Sequence, residues 1–95
     1  MNQFITRVEL HNGTSEDYEK LHAAMARAGF SRTIRGSDGV TYHLPWAEYY
    51  ANTTGTIEQV RSAAVSAANT TGRTSAVLVS QALQIAWQGL TPVSR

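Results

Sequence analysis

The chain of 95 residues carries eight Lys or Arg against seven Asp or Glu, a formal net charge of +1, with 42% hydrophobic and 16% charged residues. That length holds one domain, residues 1–95, and the apolar share excludes a disordered chain, which combines low hydrophobicity with high net charge. The near-neutral balance creates no long-range field for nucleic acid or membrane, and the absence of cysteine excludes disulfide frameworks, thiolate zinc sites and cysteine nucleophiles.

No apolar run approaches the ~18 residues that span a bilayer. The start, Met1-Asn2-Gln3-Phe4, lacks the basic and apolar regions of a signal peptide. The expectation is a cytoplasmic protein without a membrane segment or a small-molecule cofactor.

Residues 4–10 alternate, with Phe4, Thr6, Val8 and Leu10 on one face and Ile5, Arg7, Glu9 and His11 on the other, which predicts a strand with one buried face. Asn12-Gly13 ends it. Thr14 and Asp17 have capping-box spacing, and Tyr18, Leu21, Met25 and Ala28 form one helical stripe, so a helix is predicted over 15–28. Gly29 fits the left-handed position past its end. Residues 30–35 read as a short strand, 36–39 as a hairpin turn, and Val40, Tyr42 and Leu44 as the apolar phase of a third strand that Pro45 halts. Residues 46–50 are aromatic and fit either an extended segment or a turn on the core.

The pentapeptide Ala-Asn-Thr-Thr-Gly stands at 51–55 and again at 68–72, and both copies read as polar connectors. Between them, Thr56 and Gln59 repeat the capping-box spacing, and Ile57, Val60, Ala64 and Ala67 repeat the helical stripe, predicting a helix over 56–68. A fourth strand is expected over 75–80. Residues 81–90 fit both periods; Gly89, Thr91 and Pro92 favour an extended continuation over a helix.

Strand–helix–strand–strand–helix–strand implies an α+β, ferredoxin-like βαββαβ fold. Its four-stranded antiparallel sheet would carry both helices on one face, with the C-terminal extension as a possible extra strand. The first and third strands would then be central neighbours. Arg7, Glu9 and His11 would share the open sheet face with Thr41 and His43. A histidine titrates near neutral pH and a glutamate can orient it, so His11, His43 and Glu9 are the acid–base candidates. Arg7, together with Arg32 and Arg35 on the second strand, could contact phosphates, although charged residues on an edge strand also guard it against aggregation.

Glu19 and His22 have the Glu-x-x-His spacing of a metal half-site, but the chain supplies too few further carboxylates, and the pair reads as a solvated helix face with no metal bound. Tyr42, Trp46, Tyr49 and Tyr50 read as core and rim, or as an interface anchor.

Residues Thr6-Arg7-Val8-Glu9-Leu10-His11, Tyr18-x-x-Leu21-His22, Met25, Gly29-Phe30-Ser31-Arg32-Thr33-Ile34 and Tyr42-x-Leu44-Pro45-x-Ala47-Glu48-Tyr49 together resemble the GhoS endoribonuclease antitoxins, small bacterial proteins. The resemblance runs over about residues 4–65. It implies a ferredoxin-like fold similar to the small CRISPR-associated integrase subunit. It also implies a toxin–antitoxin role in which messenger RNA is cleaved, as the founding member cleaves the messenger of a membrane-active toxin. No catalytic position transfers with it. Two readings follow: an endoribonuclease acting on single-stranded RNA or mRNA, and a non-catalytic homodimeric interaction or regulatory module. The single lysine and near-neutral charge favour the second, the resemblance the first.

Overall fold

A computed structural model of the chain describes residues 1–93. In chain order it contains β1 (Asn2–Leu10), α1 (Ser15–Arg27), β2 (Thr33–Arg35), β3 (Thr41–His43), β4 (Glu48–Thr53), α2 (Ile57–Asn69) and β5 (Ser75–Ala82). The protein is α+β, with two antiparallel sheets ordered β4-β1-β5 and β2-β3.

The alternation of β1 sets the layer structure. Phe4, Thr6, Val8 and Leu10 are buried, while Arg7 and Glu9 on the opposite face are exposed. Antiparallel pairing aligns Thr6 with Tyr49 on β4 and Val79 on β5, and Val8 with Val77. Side chains in register share a face, so Tyr49, Val77 and Val79 join the covered side. Both helices contribute to the same apolar cluster: Leu21, Ala24 and Met25 from α1, and Val60, Ala64, Ala67 and Ala68 from α2. The small α2 residues let that helix lie close to β1 and β5.

Each helix starts with a complete capping box, which satisfies amide groups that the first turn leaves unpaired. Thr14 Oγ1 accepts from the Asp17 N–H (3.2 Å), and Asp17 Oδ2 accepts from the Thr14 N–H (3.0 Å). Arg73 Nε donates to the same Asp17 oxygen at 2.8 Å, tying the start of α1 to the segment before β5. The Thr14 amide and then Arg73 hold the Asp17 carboxyl below the usual carboxylate range. In α2, Thr56 and Gln59 repeat the reciprocal pair at 3.1 and 2.8 Å. At the end of α1, Gly29 adopts φ +96°, and the Phe30 N–H donates to the Met25 carbonyl (3.0 Å), turning the buried Phe30 back onto the core.

The second half departs from the expected strand layout. Residues 40–44 do not pair with β1. Their strand core, 41–43, pairs with β2, and β1 takes β4 as its neighbour instead. No four-stranded sheet forms among the described residues, because a turn at Pro45 separates β3 from β4. The first Ala-Asn-Thr-Thr-Gly copy is strand through Thr53 rather than a connector, with Ala51 buried. Ala28 lies exposed beyond α1, and the strand expected over 30–35 begins at Thr33.

Among the described residues the C-terminal stretch is strand only through Ala82 and forms no helix. Beyond it, Thr91 and Val93 hydrogen-bond β3, where the His43 N–H donates to Thr91 and the Val93 N–H donates to Thr41, both at 2.9 Å. The tail thus bridges to the β2-β3 hairpin rather than adding an extra strand to the β4-β1-β5 sheet.

Truncating a fully buried member of the α1 stripe tests this core. Leu21→Ala should cost about 2–5 kcal/mol in urea unfolding, and Thr56→Ala, which removes one cap, about 0.5–2 kcal/mol. A Leu21→Ala loss no larger than that of an exposed alanine substitution would contradict the packing.

Candidate functional site

The turn that separates β3 from β4 also builds the most distinctive surface feature. The Glu48 N–H donates to the Pro45 carbonyl at 3.1 Å, closing a turn with Trp46 and Ala47 in its centre. Ala47 has φ +61°, the sign that a type II turn needs at its third position, where glycine is usual. For alanine the left-handed region costs roughly 1–2 kcal/mol. Burial of Ala47 and a hydrogen bond from the Val8 N–H to its carbonyl (3.1 Å) hold it there.

This geometry throws Trp46 outward, where it stays 60% exposed. Its ring lies 5.4 Å from that of Tyr18 and 5.1 Å from that of His22, the latter edge to face at 89°. The Arg32 guanidinium stands 5.8 Å from the Trp46 ring centre, within cation–π range.

Beneath Trp46, His22 Nδ1 and the Tyr49 hydroxyl are 2.6 Å apart. Burial, and then the positive charge of Arg32, lower the His22 pKa against an opposing pull from Glu19. Burial pushes the Tyr49 hydroxyl up to about 12. Near neutral pH the pair is therefore a neutral imidazole and a neutral phenol. His22 Nε2 is buried without a protein partner. A hydroxyl donating to Nδ1 leaves only the Nε2–H unpaired. The reverse arrangement would strand the phenolic proton as well, so Tyr49 is the donor. Tyr18 completes the wall, its hydroxyl accepting from the Leu10 N–H at 3.0 Å.

The residues singled out in the sequence are dispersed. Arg7 and Glu9 lie exposed on the open face of β1, where Arg7 is in register with Glu48 and Leu78. His11 follows the same strand and bonds Thr74 through both its amide and its ring Nδ1, each at 2.9 Å. His43 sits exposed on β3 in the other sheet, and the expected juxtaposition with Arg7, Glu9 and His11 does not occur.

The arginines separate as well. Arg32 joins the Trp46 ledge, whereas Arg35 lines an open cleft of about 520 Å³ between the hairpin and residues 85–90. In that cleft Asp38 accepts from the Val40 N–H and the Tyr42 hydroxyl, both at 2.9 Å, and the first of these chiefly lowers its pKa. The Tyr42 ring meets that of Trp87 at 5.6 Å. The four aromatics of residues 42–50 therefore part company: Tyr42 in the cleft, Trp46 on the ledge, Tyr49 in the core, and Tyr50 on the open face bonding Gln3 (3.1 Å).

His22, like His43, lies in surroundings that differ from the sequence expectation. It is no solvated partner of Glu19 but a half-buried group under Trp46. Its signal was the i, i+4 spacing from Tyr18, which sets both rings on one side of α1. Among the described residues no three His, Asp or Glu side chains gather as a metal site, and no helix is long and apolar enough to cross a membrane. No protein-family model matches the chain, and no curated protein matches it.

The state of His22 has a measurable consequence. Its folded pKa lies below the ordinary value of about 6.5, so as pH falls the unfolded chain takes up the proton first. Stability from neutral His22 is complete above about pH 6.5 and declines as pH drops below it. Urea midpoints should fall between about pH 7.5 and pH 5, and His22→Gln should flatten that fall. An equal pH dependence in the variant would contradict the assignment.

Proposed function

We propose that the chain binds single-stranded RNA on the Trp46–Arg32 ledge, as a GhoS-like antitoxin in a ferredoxin-like frame. The observation that carries the RNA reading is an exposed indole with a guanidinium over it. Aromatic faces stack unpaired bases without regard to sequence, and an arginine beside them meets the backbone phosphate. Tyr18 and the His22–Tyr49 pair brace the indole from below, which lowers the entropic cost of presenting it.

Support for the frame comes from Ser31 and Tyr50. Their backbones exchange hydrogen bonds of 2.8 and 2.7 Å, which sets the residues leading into β2 beside β4. Extended from that bridge, the order would read β3-β2-β4-β1-β5, with β3 added on the outer side of β2.

Cleavage of messenger RNA is the further part of the proposal and rests on the resemblance. His22 is a poor base for it, because Nδ1 is engaged and Nε2 is buried. Glu9 on β1 and His11 just past its end, two residues apart and both exposed, are the better acid–base pair; His43 lies on the other sheet. The alternative reading, a non-catalytic homodimeric interaction or regulatory module, is favoured by one observation, the exposure of Leu78 at 65% and of Leu83 at 93% on and beyond an edge strand.

Titration of labelled single-stranded RNA at two salt concentrations tests these readings. Trp46→Ala should cost about 1–3 kcal/mol of affinity, roughly 5- to 150-fold. Arg32→Ala should lower the salt slope by about one phosphate contact, and Arg7→Ala and Arg35→Ala should leave it unchanged. His11→Ala should preserve binding and slow any cleavage about 100-fold or more. Absence of binding at low salt would leave the interaction module as the better reading.

A further inference from the structure

The apolar core is unfinished on one flank. On β1 and β4 the helix-facing residues Thr6, Val8 and Tyr49 are fully buried, yet their counterparts on β5, Val77 and Val79, are only half-covered, as is Ile57 at the start of α2. These three residues, with Leu78, Glu58 and Arg61, line a groove of about 250 Å³ between α2 and β5. Among the described residues no strand pairs with the outer edge of β5, which leaves its amides and carbonyls available. Edge strands are ordinarily guarded by a charge, a proline or a bulge. Ser75-Ala76-Val77-Leu78-Val79-Ser80-Gln81-Ala82 contains no charged residue and no proline.

We propose that a second copy of this chain occupies that edge, β5 against β5, antiparallel about a two-fold axis at Leu78. A two-fold contact must be self-complementary, and β5 is so about this residue. Val77 would face the partner's Val79, Ala76 the partner's Ser80, and Ser75 the partner's Gln81, with the two leucines meeting on the open face.

The flanking helix obeys the same symmetry. Glu58 and Arg61 stand one turn apart on α2 beside the strand centre, so the axis sets each opposite its counter-charge. A peptide strand of single charge sign would leave one of them unmatched, which is why a second copy fits better than a foreign strand. The product is a continuous six-stranded sheet, β4-β1-β5 extended through its copy, with Val77, Val79 and Ile57 buried. The inference supplies the partner and surface for the interaction-module reading. It is separable from RNA binding, because the Trp46 ledge precedes β4, at the other edge of the sheet.

Light scattering of the full chain at micromolar concentration should give about twice the 10.4 kDa monomer mass. Leu78→Lys, at an exposed position, should give monomer with an unchanged circular dichroism spectrum. Because the chain has no cysteine, single-cysteine variants report the register. Leu78→Cys should form a disulfide-linked dimer under mild oxidation, and Ser80→Cys, which would face the partner's Ala76, should not. Arg61→Glu should weaken the dimer several-fold, and adding Glu58→Arg should restore it. A wild-type monomer, a Leu78→Lys dimer, or equal cross-linking at both cysteine positions would overturn the proposal, and none of these results would alter RNA affinity for Trp46→Ala relative to the parent chain.

Discussion

The turn from Pro45 to Glu48 decides where everything after it goes. Proline ends the ladder because it has no amide to donate, and Ala47 at φ +61° reverses the chain while its carbonyl stays bonded to the Val8 amide. That single anchor delivers β4 to the flank of β1 in the register that buries Tyr49 opposite Thr6. It also releases β3 from the main sheet to pair with β2 and the tail. A turn of the other hand would leave Trp46 pointing differently and Tyr49 out of reach of His22.

From Tyr49 the consequences run outward to the surface. Its hydroxyl is buried and remains protonated, so it needs a neutral acceptor, and His22 on α1 supplies one. The pair links helix to sheet and carries Trp46 against its edge, while Arg32, brought alongside by the strand-like residues after α1, sits over the indole. A cation–π contact at an exposed site contributes only about 0.5–1 kcal/mol. The ledge is therefore held mainly by the buried groups below it, and its indole and guanidinium remain available to a ligand.

Elements defined by local sequence were legible. The alternation over Phe4–Leu10 and the two capping boxes followed by apolar stripes specify β1, α1 and α2 to within a residue or two of the observed limits. Gly89 and Pro92 correctly argued against a C-terminal helix. Pairing was not legible, because it is a non-local choice. Residues 41–43 and 48–53 both qualify as strands, and only the handedness of the Ala47 turn selects which one reaches β1. Alanine gives no sign of a positive φ, as glycine would.

The site was obscured for the same reason. His43 would stand by Arg7 and Glu9 only if β3 were the neighbour of β1, and the three-residue spacing from Glu19 gives no sign that His22 is half-buried. Of the predicted acid–base and arginine residues, Arg32 alone meets the Trp46 ledge, and its partners there come from three separate segments that no spacing rule connects.

The strand exchange at Ala47 is the central claim, and backbone nuclear Overhauser contacts of the isotope-labelled chain test it most directly. Residues 3–7 of β1 should show cross-strand contacts to residues 48–52, and the Val8 amide should be among those protected from exchange by its bond to Ala47. Contacts from β1 to residues 41–43 in place of 48–52 would contradict it.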